Sequence, residues 1–184
     1  MYSLSPISVN ARGGKTATLL NGPDRVTTQL PLEVIFPPGN FERDDAAVRQ
    51  NITARVTSSV DTFFSELDDW AIPYISSHSE RLLGKKLTED EVRFAYTSSI
   101  KRPEGKDPML KIKINMPTSK CPCKCWSQEG EKIPWIEDWA GATIKSKILV
   151  SHLWVMGSGQ KCEMGLVCVL TDAMPTAPAC AFPF

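Results

Sequence analysis

Two long apolar runs constrain the fold of this sequence more than any other feature. The first, residues 143–156, is rich in β-branched residues, and the second, residues 162–170, follows soon after Gly157-Ser158-Gly159. Apolar runs separated by a short glycine-containing turn are typical of a β-hairpin. The sequence therefore predicts two paired strands in a mostly antiparallel sheet.

The first of these strands also predicts which side chains point the same way. Side chains alternate between the two faces of a strand, so residues of one parity share a face. In residues 143–156 the predicted core face holds Ile144, Ser146, Ile148, Val150, His152 and Trp154. We therefore expect His152 and Trp154 to lie in the core or at its rim.

A third strand is predicted at residues 109–114, where apolar and basic residues alternate strictly. The apolar residues fall on one face, and Lys111 and Lys113 fall on the other. This pattern indicates a half-buried strand with a basic face.

Residues 25–36 form a fourth candidate strand, with a looser alternation. The apolar residues that share one parity, and are predicted to lie on one face, are Val26, Leu30, Leu32, Val34 and Phe36. The following Pro37-Pro38-Gly39 is typical of a turn, so we expect the strand to end there.

From residue 60 the hydrophobic period becomes that of a helix, with apolar residues three and four positions apart. These residues are Val60, Phe63, Phe64, Leu67 and Ala71. Pro73 lacks an amide donor and is expected to end or bend this helix. A second helix is predicted to begin at Thr88, because Thr88 and Glu91 match the capping box that satisfies two amides at a helix start.

The length of 184 residues, with 42% hydrophobic and 23% charged residues, is typical of one globular domain. We expect this domain to span residues 25–172. Residues 1–24 are expected to form a flexible or partner-bound arm, and residues 173–184, which contain three prolines, an irregular tail.

The cellular location is predicted from what the sequence lacks. No run approaches the roughly 20 apolar residues of a membrane span, and the first ten residues do not have the layout of a signal peptide. We therefore expect an intracellular protein with no membrane partner. Because reducing compartments keep thiols free, the six cysteines are expected to be reduced.

Basic residues and tryptophans occur together between residues 101 and 147. This segment has ten lysines and arginines against six acids, although the 21 basic and 21 acidic residues of the whole chain cancel. Cations that follow phosphates and rings that stack on bases are what single-strand binding requires. The candidate binding residues are Lys111, Lys113, Lys124, Trp126, Lys132, Trp135, Lys145 and Lys147.

The same residues also have an ordinary structural interpretation. Lysines at alternate strand positions can simply solvate the outer face of a sheet, and tryptophans are usually highly buried. Trp126, beside Lys124 in a polar segment, is expected to be an exposed ring that stacks on bases. Trp154, inside an apolar strand, is expected to be part of the core.

Cys121, Cys123 and Cys125 occur at alternate positions and raise the alternative of a zinc site. Structural zinc sites normally have two residues between paired thiolates. We expect the alternating thiols to be aimed apart, and we predict reduced thiols with neither a metal nor another cofactor.

No combination of residues predicts catalysis. His78 follows two serines at a predicted helix end, where a capping role is the ordinary one. Asp68 and Asp69 are adjacent on a helix and point in different directions. Gly13-Gly14-Lys15-Thr16 lacks the first glycine of a nucleotide-binding loop. We therefore expect a binding protein rather than an enzyme.

Several segments, taken in order, resemble one protein family. They are Phe63-Phe64-x-x-Leu67-Asp68, Ser79-x-x-Leu82-x-Gly84-Lys85-Lys86-Leu87-Thr88-x-Asp90-x-Val92, Pro108-Met109-Leu110-Lys111-Ile112-Lys113-Ile114, Gly141-Ala142-x-Ile144, the strand of Trp154, and Gly165. Their order and spacing, over residues 60–170, resemble single-stranded DNA-binding-like proteins of large DNA viruses of algae and protists. The resemblance implies an OB-type barrel with inserted helices.

Together, the patterns and the resemblance predict an α+β fold: a mostly antiparallel OB-like β-barrel with two packed helices and irregular termini. The expected function is sequence-nonspecific binding of single-stranded DNA during viral DNA replication, in the cytoplasm or nucleus of a host cell. One alternative is a minor capsid component of the virion, whose extended arms contact capsid neighbours or further copies of the chain. A second alternative is a zinc-bearing adaptor.

Overall fold

The computed structural model describes residues 1–11, 13–39, 47–157 and 162–176. The described residues form an α+β structure in which most strand pairs are antiparallel. The strands are β1 (Tyr2–Leu4), β2 (Ser8–Val9), β3 (Lys15–Asn21), β4 (Asp24–Gly39), β5 (Arg49–Arg55), β6 (Ile100–Lys101), β7 (Met109–Asn115), β8 (Lys124–Trp126), β9 (Lys132–Ile133), β10 (Thr143–Met156) and β11 (Glu163–Thr176). The helices are α1 (Ser58–Ser77), α2 (Ser79–Leu83) and α3 (Glu89–Ala95).

The chain divides into two compact units, whereas the sequence analysis expected one domain over residues 25–172. Each unit is assembled from separate stretches of the chain. Unit 1 contains Met1–Val26, Asp61–Ser99 and Val150–Val167, and unit 2 contains Thr27–Val60, Ile100–Leu149 and the residues from Cys168 onward.

In unit 1, short strands and all three helices enclose a hydrophobic core. Strand β3 pairs antiparallel with β1, β2 and the second half of β10. Helix α1 buries Phe64, Leu67, Ala71 and Ile75 at the three- and four-residue spacing that the sequence predicts.

Pro73 was expected to end or bend this helix; it lies inside α1 and does not end it. The proline side chain is exposed, while Ile72 and Ile75 on either side of it are buried. Burial of the apolar residues on both sides of the proline outweighs the loss of one backbone hydrogen bond.

The predicted capping box at the start of α3 is confirmed. The Thr88 hydroxyl accepts a hydrogen bond from the Glu91 amide at 3.3 Å, and the Glu91 carboxylate accepts one from the Thr88 amide at 2.7 Å. These bonds lower the pKa of Glu91, because they favour its charged form.

Residues 1–24, which the sequence analysis expected to form an arm, contain β1, β2 and β3. Tyr2, Ser3 and Leu4 lie opposite Asn21, Leu20 and Leu19 in the β1–β3 pair. The Tyr2 ring also packs edge-on against Trp70, with 5.3 Å between ring centroids. Strand pairing and this ring contact hold the segment within its own chain.

The last described residues, up to Thr176, continue β11 beyond the predicted domain end at residue 172. The hydroxyl of Thr176 donates a hydrogen bond to the Thr143 carbonyl at 3.1 Å. The rest of the proline-rich tail, residues 177–184, lies outside the described residues.

In unit 2 the strand pairing closes into a ring. The order β10, β4, β5, β7, β11 returns to β10, because β10 also pairs with β11, as the predicted hairpin requires. The pair β5–β7 is antiparallel, whereas β7 and β11 run parallel. All five strands contribute buried residues, including Leu32, Ile52, Leu110, Ile114, Ile148 and Leu170.

Strand β10 keeps the predicted alternation only as far as Val150. Beyond this residue Leu153 and Val155 are buried, while His152 and Trp154 are only partly buried. The pairing with β3 explains the change, because Leu153 lies opposite the buried Ala17. The prediction that Trp154 belongs to the core is therefore wrong. In this half of β10 the pattern of buried residues is shifted by one position, so that the neighbours of Trp154 are buried instead.

Gly165, which contributes to the family resemblance, lies where two segments of unit 1 approach closely. A Cβ atom at this position would be 2.6 Å from the Thr97 carbonyl oxygen and 3.1 Å from Nε1 of Trp154. A larger residue here would displace the backbone of residue 97, so the structure requires glycine.

Within the described residues, no helix combines the length and the apolar character needed to cross a membrane.

Candidate nucleic-acid interface

Lys111 and Lys113 lie on the face of β7 that points away from the core, as the alternation predicts. The neighbouring strand β5 has the same alternation, with Gln50, Ile52 and Ala54 buried. Lys111 lies opposite Thr53, and Lys113 lies opposite Asn51. The exposed face of β5 and β7 therefore carries cations on one strand and short polar side chains on the other.

Arg49 adds a third cation to this face. It lies opposite Asn115, and its Nε donates a 2.8 Å hydrogen bond to the Asn115 side chain. The amide of Asn115 in turn donates to the Cys121 carbonyl at 2.9 Å. The guanidinium is thus held by a side chain that is itself fixed, which leaves its terminal nitrogens for other partners.

The three cations lie close enough to affect one another. Burial lowers the pKa of Lys113, and the positive charges of Lys111 and Arg49 lower it further. Within the described part of the chain, neither lysine forms an ion pair with an acid. The face therefore concentrates positive charge that a bound anion would neutralise.

An exposed aromatic ring lies beside these cations, on β4. Val34 lies opposite Ala54, but Phe36 lies opposite Thr53, so the register shifts by one residue between them. A β-bulge of this kind turns the next side chain to the other face. Phe36 is 56% exposed, although the sequence analysis placed it on the core parity of β4.

The bulge also explains why β4 continues through Pro37 and Pro38 as far as Gly39, where a turn was predicted. Gly39 still pairs, opposite Asn51, after a second register shift. Irregular pairing accommodates prolines, which have no amide to donate to a regular ladder. We call the set Phe36, Gly39, Arg49, Asn51, Thr53, Lys111, Lys113 and Asn115 the cationic face.

Lys145 and Lys147 lie on β10, not on the cationic face. Both are exposed and alternate with the buried Ile144, Ser146 and Ile148. In the ring, β10 is separated from β7 by β11 on one side and by β4 and β5 on the other. Lys145 and Lys147 therefore do not lie on a strand that pairs with the strand of Lys111 and Lys113.

Lys124, Trp126 and Lys132 lie on the short antiparallel pair β8–β9, in which Trp126 lies opposite Lys132. From its polar surroundings in the sequence, Trp126 was predicted to have an exposed ring. Instead, its ring is partly buried, and its Nε1 donates a 2.9 Å hydrogen bond to Asp172 on β11. Strand β11 lies between this pair and β7.

Trp135 packs against Trp139, with 5.3 Å between ring centroids. Trp139 is fully buried, whereas Trp135 is partly exposed. The buried Nε1 of Trp139 has no hydrogen-bond partner among the described residues. Of this pair, Trp135 is the ring that a base could reach.

The eight candidate residues thus occupy three places: β7, the region of β8 and β9, and β10. Arg49, Asn51 and Phe36 were not among the binding residues predicted from the sequence. The apolar Ile52 and Ala54 at alternate positions could have predicted the second half of β5, but Arg49 and Asn51 lie in the all-polar stretch before them, which has no such alternation. The exposure of Phe36 depends on a bulge; the adjacent Pro37 and Pro38 are consistent with irregular pairing but were interpreted as a turn.

The cysteine cluster differs from the expectation that its thiols are aimed apart. Cys123 and Cys125 are both buried, and a hydrogen bond between their thiols lowers the pKa of Cys125 to about 7 and raises the pKa of Cys123. Residues two apart in an extended segment share a face, which brings these thiols together. Among the described residues, no three His, Cys, Asp or Glu side chains are arranged to hold a metal ion.

The two histidines contact backbone and serine groups. Nδ1 of His78 is 2.9 Å from the Tyr74 carbonyl and 3.0 Å from the Ser77 hydroxyl, at the end of α1. This is the helix-end position that the sequence analysis predicted. Nδ1 of His152 is 2.9 Å from the Ser151 hydroxyl.

No protein-family profile matches the chain, and no curated protein sequence matches it. Solved structures of single-stranded DNA-binding proteins from bacteriophage Enc34 are similar to it. The complex with single-stranded DNA has a TM-score of 0.47 at 12% identity, covering 99% of this chain and 95% of that chain. A C-terminal truncation has a TM-score of 0.47 at 11% identity with the same coverage, and a third structure has 0.46 at 11% identity, covering 94% and 89%.

Proposed function

We propose that this chain binds single-stranded DNA through the cationic face, without reading an extended sequence. The observation that carries the proposal is the register of β4, β5 and β7. It places an exposed ring, Phe36, beside three cations, Arg49, Lys111 and Lys113, on one face of the sheet. Cations for phosphates and a ring for bases are the two elements of non-specific single-strand binding.

The electrostatic part of the proposal rests on Lys113. Its lowered pKa reflects partial burial and two neighbouring positive charges. A phosphate would relieve this repulsion and favour the charged ammonium. Binding a polyanion is therefore the use that best accounts for three neighbouring cations of which, within the described residues, neither lysine is paired with an acid.

The aromatic part of the proposal rests on Phe36. An exposed phenyl ring gains nothing from the core, and each base stacked on such a ring contributes about 1–3 kcal/mol to binding. Bases that are already unpaired can reach the ring without breaking a duplex. The face is therefore suited to a single strand rather than to double-stranded DNA.

The finer description of the fold is also a proposal. The ring of five strands in unit 2 supports an OB-like barrel, in which small closed sheets bind oligonucleotides on a strand face. The proposed role in viral DNA replication rests on the family resemblance of residues 60–170.

The remaining candidates, Lys124, Trp126, Lys132, Trp135, Lys145 and Lys147, stay predictions. They are proposed as further contacts for a strand longer than the cationic face. The alternative of a minor capsid component relied on extended arms, and the pairing of β1 with β3 inside the chain removes that argument for the N-terminal segment. Contacts with further copies of the chain also stay a prediction.

The test is a titration of fluorescently labelled oligothymidylate at several concentrations between about 50 mM and 200 mM salt. Wild type is compared with the double variant Lys111→Ala/Lys113→Ala. Each phosphate neutralised on a single strand contributes about 0.7 to the slope of log affinity against log salt. We expect the double variant to bind more weakly and to have a slope smaller by about 1.4.

The matched control is Lys86→Ala/Lys106→Ala, which removes the same charge from two exposed positions outside the cationic face. It should retain the wild-type slope. Equal slopes for both double variants would contradict the proposal, as would tighter binding to a duplex of the same length.

A further inference from the structure

The two register shifts of β4 place Phe36 and Gly39 on the same face. They are three positions apart in β4, yet their partners Thr53 and Asn51 are only two positions apart in β5. Residues two apart on a strand share a face and lie about 7 Å apart. Phe36 and Gly39 are therefore neighbours on the cationic face.

Gly39 leaves an open space next to the ring. Among the described residues, a Cβ atom at this position would meet only the Pro37 carbonyl oxygen, at an ordinary contact distance of 3.8 Å. The backbone of Gly39 is not in the left-handed region, so its conformation does not require glycine. A residue with a side chain could therefore adopt the same backbone conformation at position 39, and it would fill the space next to the ring.

Asn51 borders this space and also adjoins the cations. It lies opposite Gly39 on one side and opposite Lys113 on the other, and its side chain is partly exposed. Its amide has no hydrogen-bond partner among the described residues. A side-chain amide offers one acceptor and two donor hydrogens, side by side.

We propose that Phe36, Gly39 and Asn51 form a nucleobase subsite that prefers adenine. The base stacks on the Phe36 ring over Gly39, and the Asn51 amide bonds to its edge. An asparagine amide matches the adjacent donor N6 and acceptor N7 of adenine. Lys113, on the far side of Asn51, contacts the adjoining phosphate.

This inference rests on the proposed function and adds to it a preference at one nucleotide. Strand-wide binding through Lys111, Lys113 and Arg49 has no base selectivity, because phosphates carry no sequence information. The preference therefore comes from Asn51, and the two contributions can be measured separately.

The experiment compares two labelled oligonucleotides, oligothymidylate and the same oligonucleotide with adenines substituted at intervals. Wild type, Asn51→Leu and the control Gln29→Leu are titrated with both. Gln29 is an exposed amide on β4, outside the cationic face. We expect wild type and Gln29→Leu to prefer the adenine-containing strand by at least about fivefold, the lower limit for one bidentate contact.

Asn51→Leu should lose this preference and keep the salt slope of the wild type. A second variant, Gly39→Val, fills the open space and should weaken binding to both oligonucleotides several-fold, again without a change of slope. Thermal unfolding of both variants checks that they fold.

An unchanged preference in folded Asn51→Leu would overturn the subsite, as would wild-type affinity in Gly39→Val. In either case oligothymidylate would still bind, and the slope of log affinity against log salt would still be smaller in Lys111→Ala/Lys113→Ala. The proposed function would then stand. Absence of binding to both oligonucleotides by wild type would overturn the two proposals together.

Discussion

Phe36 lies directly opposite Thr53 across the β4–β5 pair, one residue out of step with Val34 opposite Ala54. This single shift divides β4 into a stretch that buries alternate residues from Leu30 to Val34 and a stretch from Phe36 to Gly39 with no buried residue. The bulge thus places a large ring on the surface of a sheet whose other face is the core.

Replacing Phe36 by alanine should weaken binding of single-stranded DNA by about 1–3 kcal/mol, the contribution of one stacked base. Phe36→Trp should retain the affinity, because it keeps a flat ring. Fluorescence anisotropy with labelled oligothymidylate measures both. The salt slope should not change, because no cation is removed.

The control for this prediction is Phe94→Ala on α3. Phe94 is 92% exposed, more than Phe36, but lies in unit 1 and outside the cationic face. If Phe94→Ala and Phe36→Ala reduced affinity equally, exposure of a ring alone would explain the effect and the bulge would have no special role.

Affinity for single-stranded DNA should fall at alkaline pH because Lys113 loses its proton at a lower pH than an ordinary lysine. A bound phosphate favours the charged form and raises the pKa of Lys113 towards or above its usual value. Affinity is therefore highest below the lowered pKa and declines as the pH rises through it. Titrations from neutral to alkaline pH measure this decline.

Lys113→Arg is the matched variant for the pH prediction, because arginine stays charged throughout this range. In Lys113→Arg the affinity should fall less as the pH rises, because the residue at position 113 no longer loses its proton. In Lys111→Arg the contribution of Lys113 to the fall in affinity should remain. Identical pH profiles for wild type and Lys113→Arg would show that Lys113 is not the titrating group.

Removing the carboxylate that binds Trp126 should destabilise the protein. In Asp172→Ala the partly buried indole N–H loses its partner at 2.9 Å, and an unsatisfied donor costs about 1–3 kcal/mol. The free energy of unfolding in urea measures this loss. Asp138→Ala, which removes an exposed carboxylate, should stay within about 0.5 kcal/mol of wild type.

Local patterns in the sequence predicted those elements whose stability is local. The alternation of residues 109–114 predicted β7 with Lys111 and Lys113 exposed, and the pair Thr88 and Glu91 predicted the start of α3. The capping box of α3 depends on two residues three positions apart, and the exposed face of β7 depends only on which side chains are apolar.

Features that depend on a distant partner could not be predicted in the same way. Trp154 is displaced from the core because Leu153, not Trp154, lies opposite Ala17, more than a hundred residues earlier in the chain. The helix α1 continues through Pro73 because buried residues on both sides hold it. Each outcome reflects tertiary packing that overrides a local rule.

The interleaving of the two units has a consequence for synthesis of the protein. Each unit combines a stretch from the first sixty residues with one from beyond residue 149. Neither can close its core while the chain is still being translated, and contacts between such remote stretches form slowly. The nascent polypeptide should therefore stay sensitive to proteases on the ribosome until the residues from Cys168 onward have emerged.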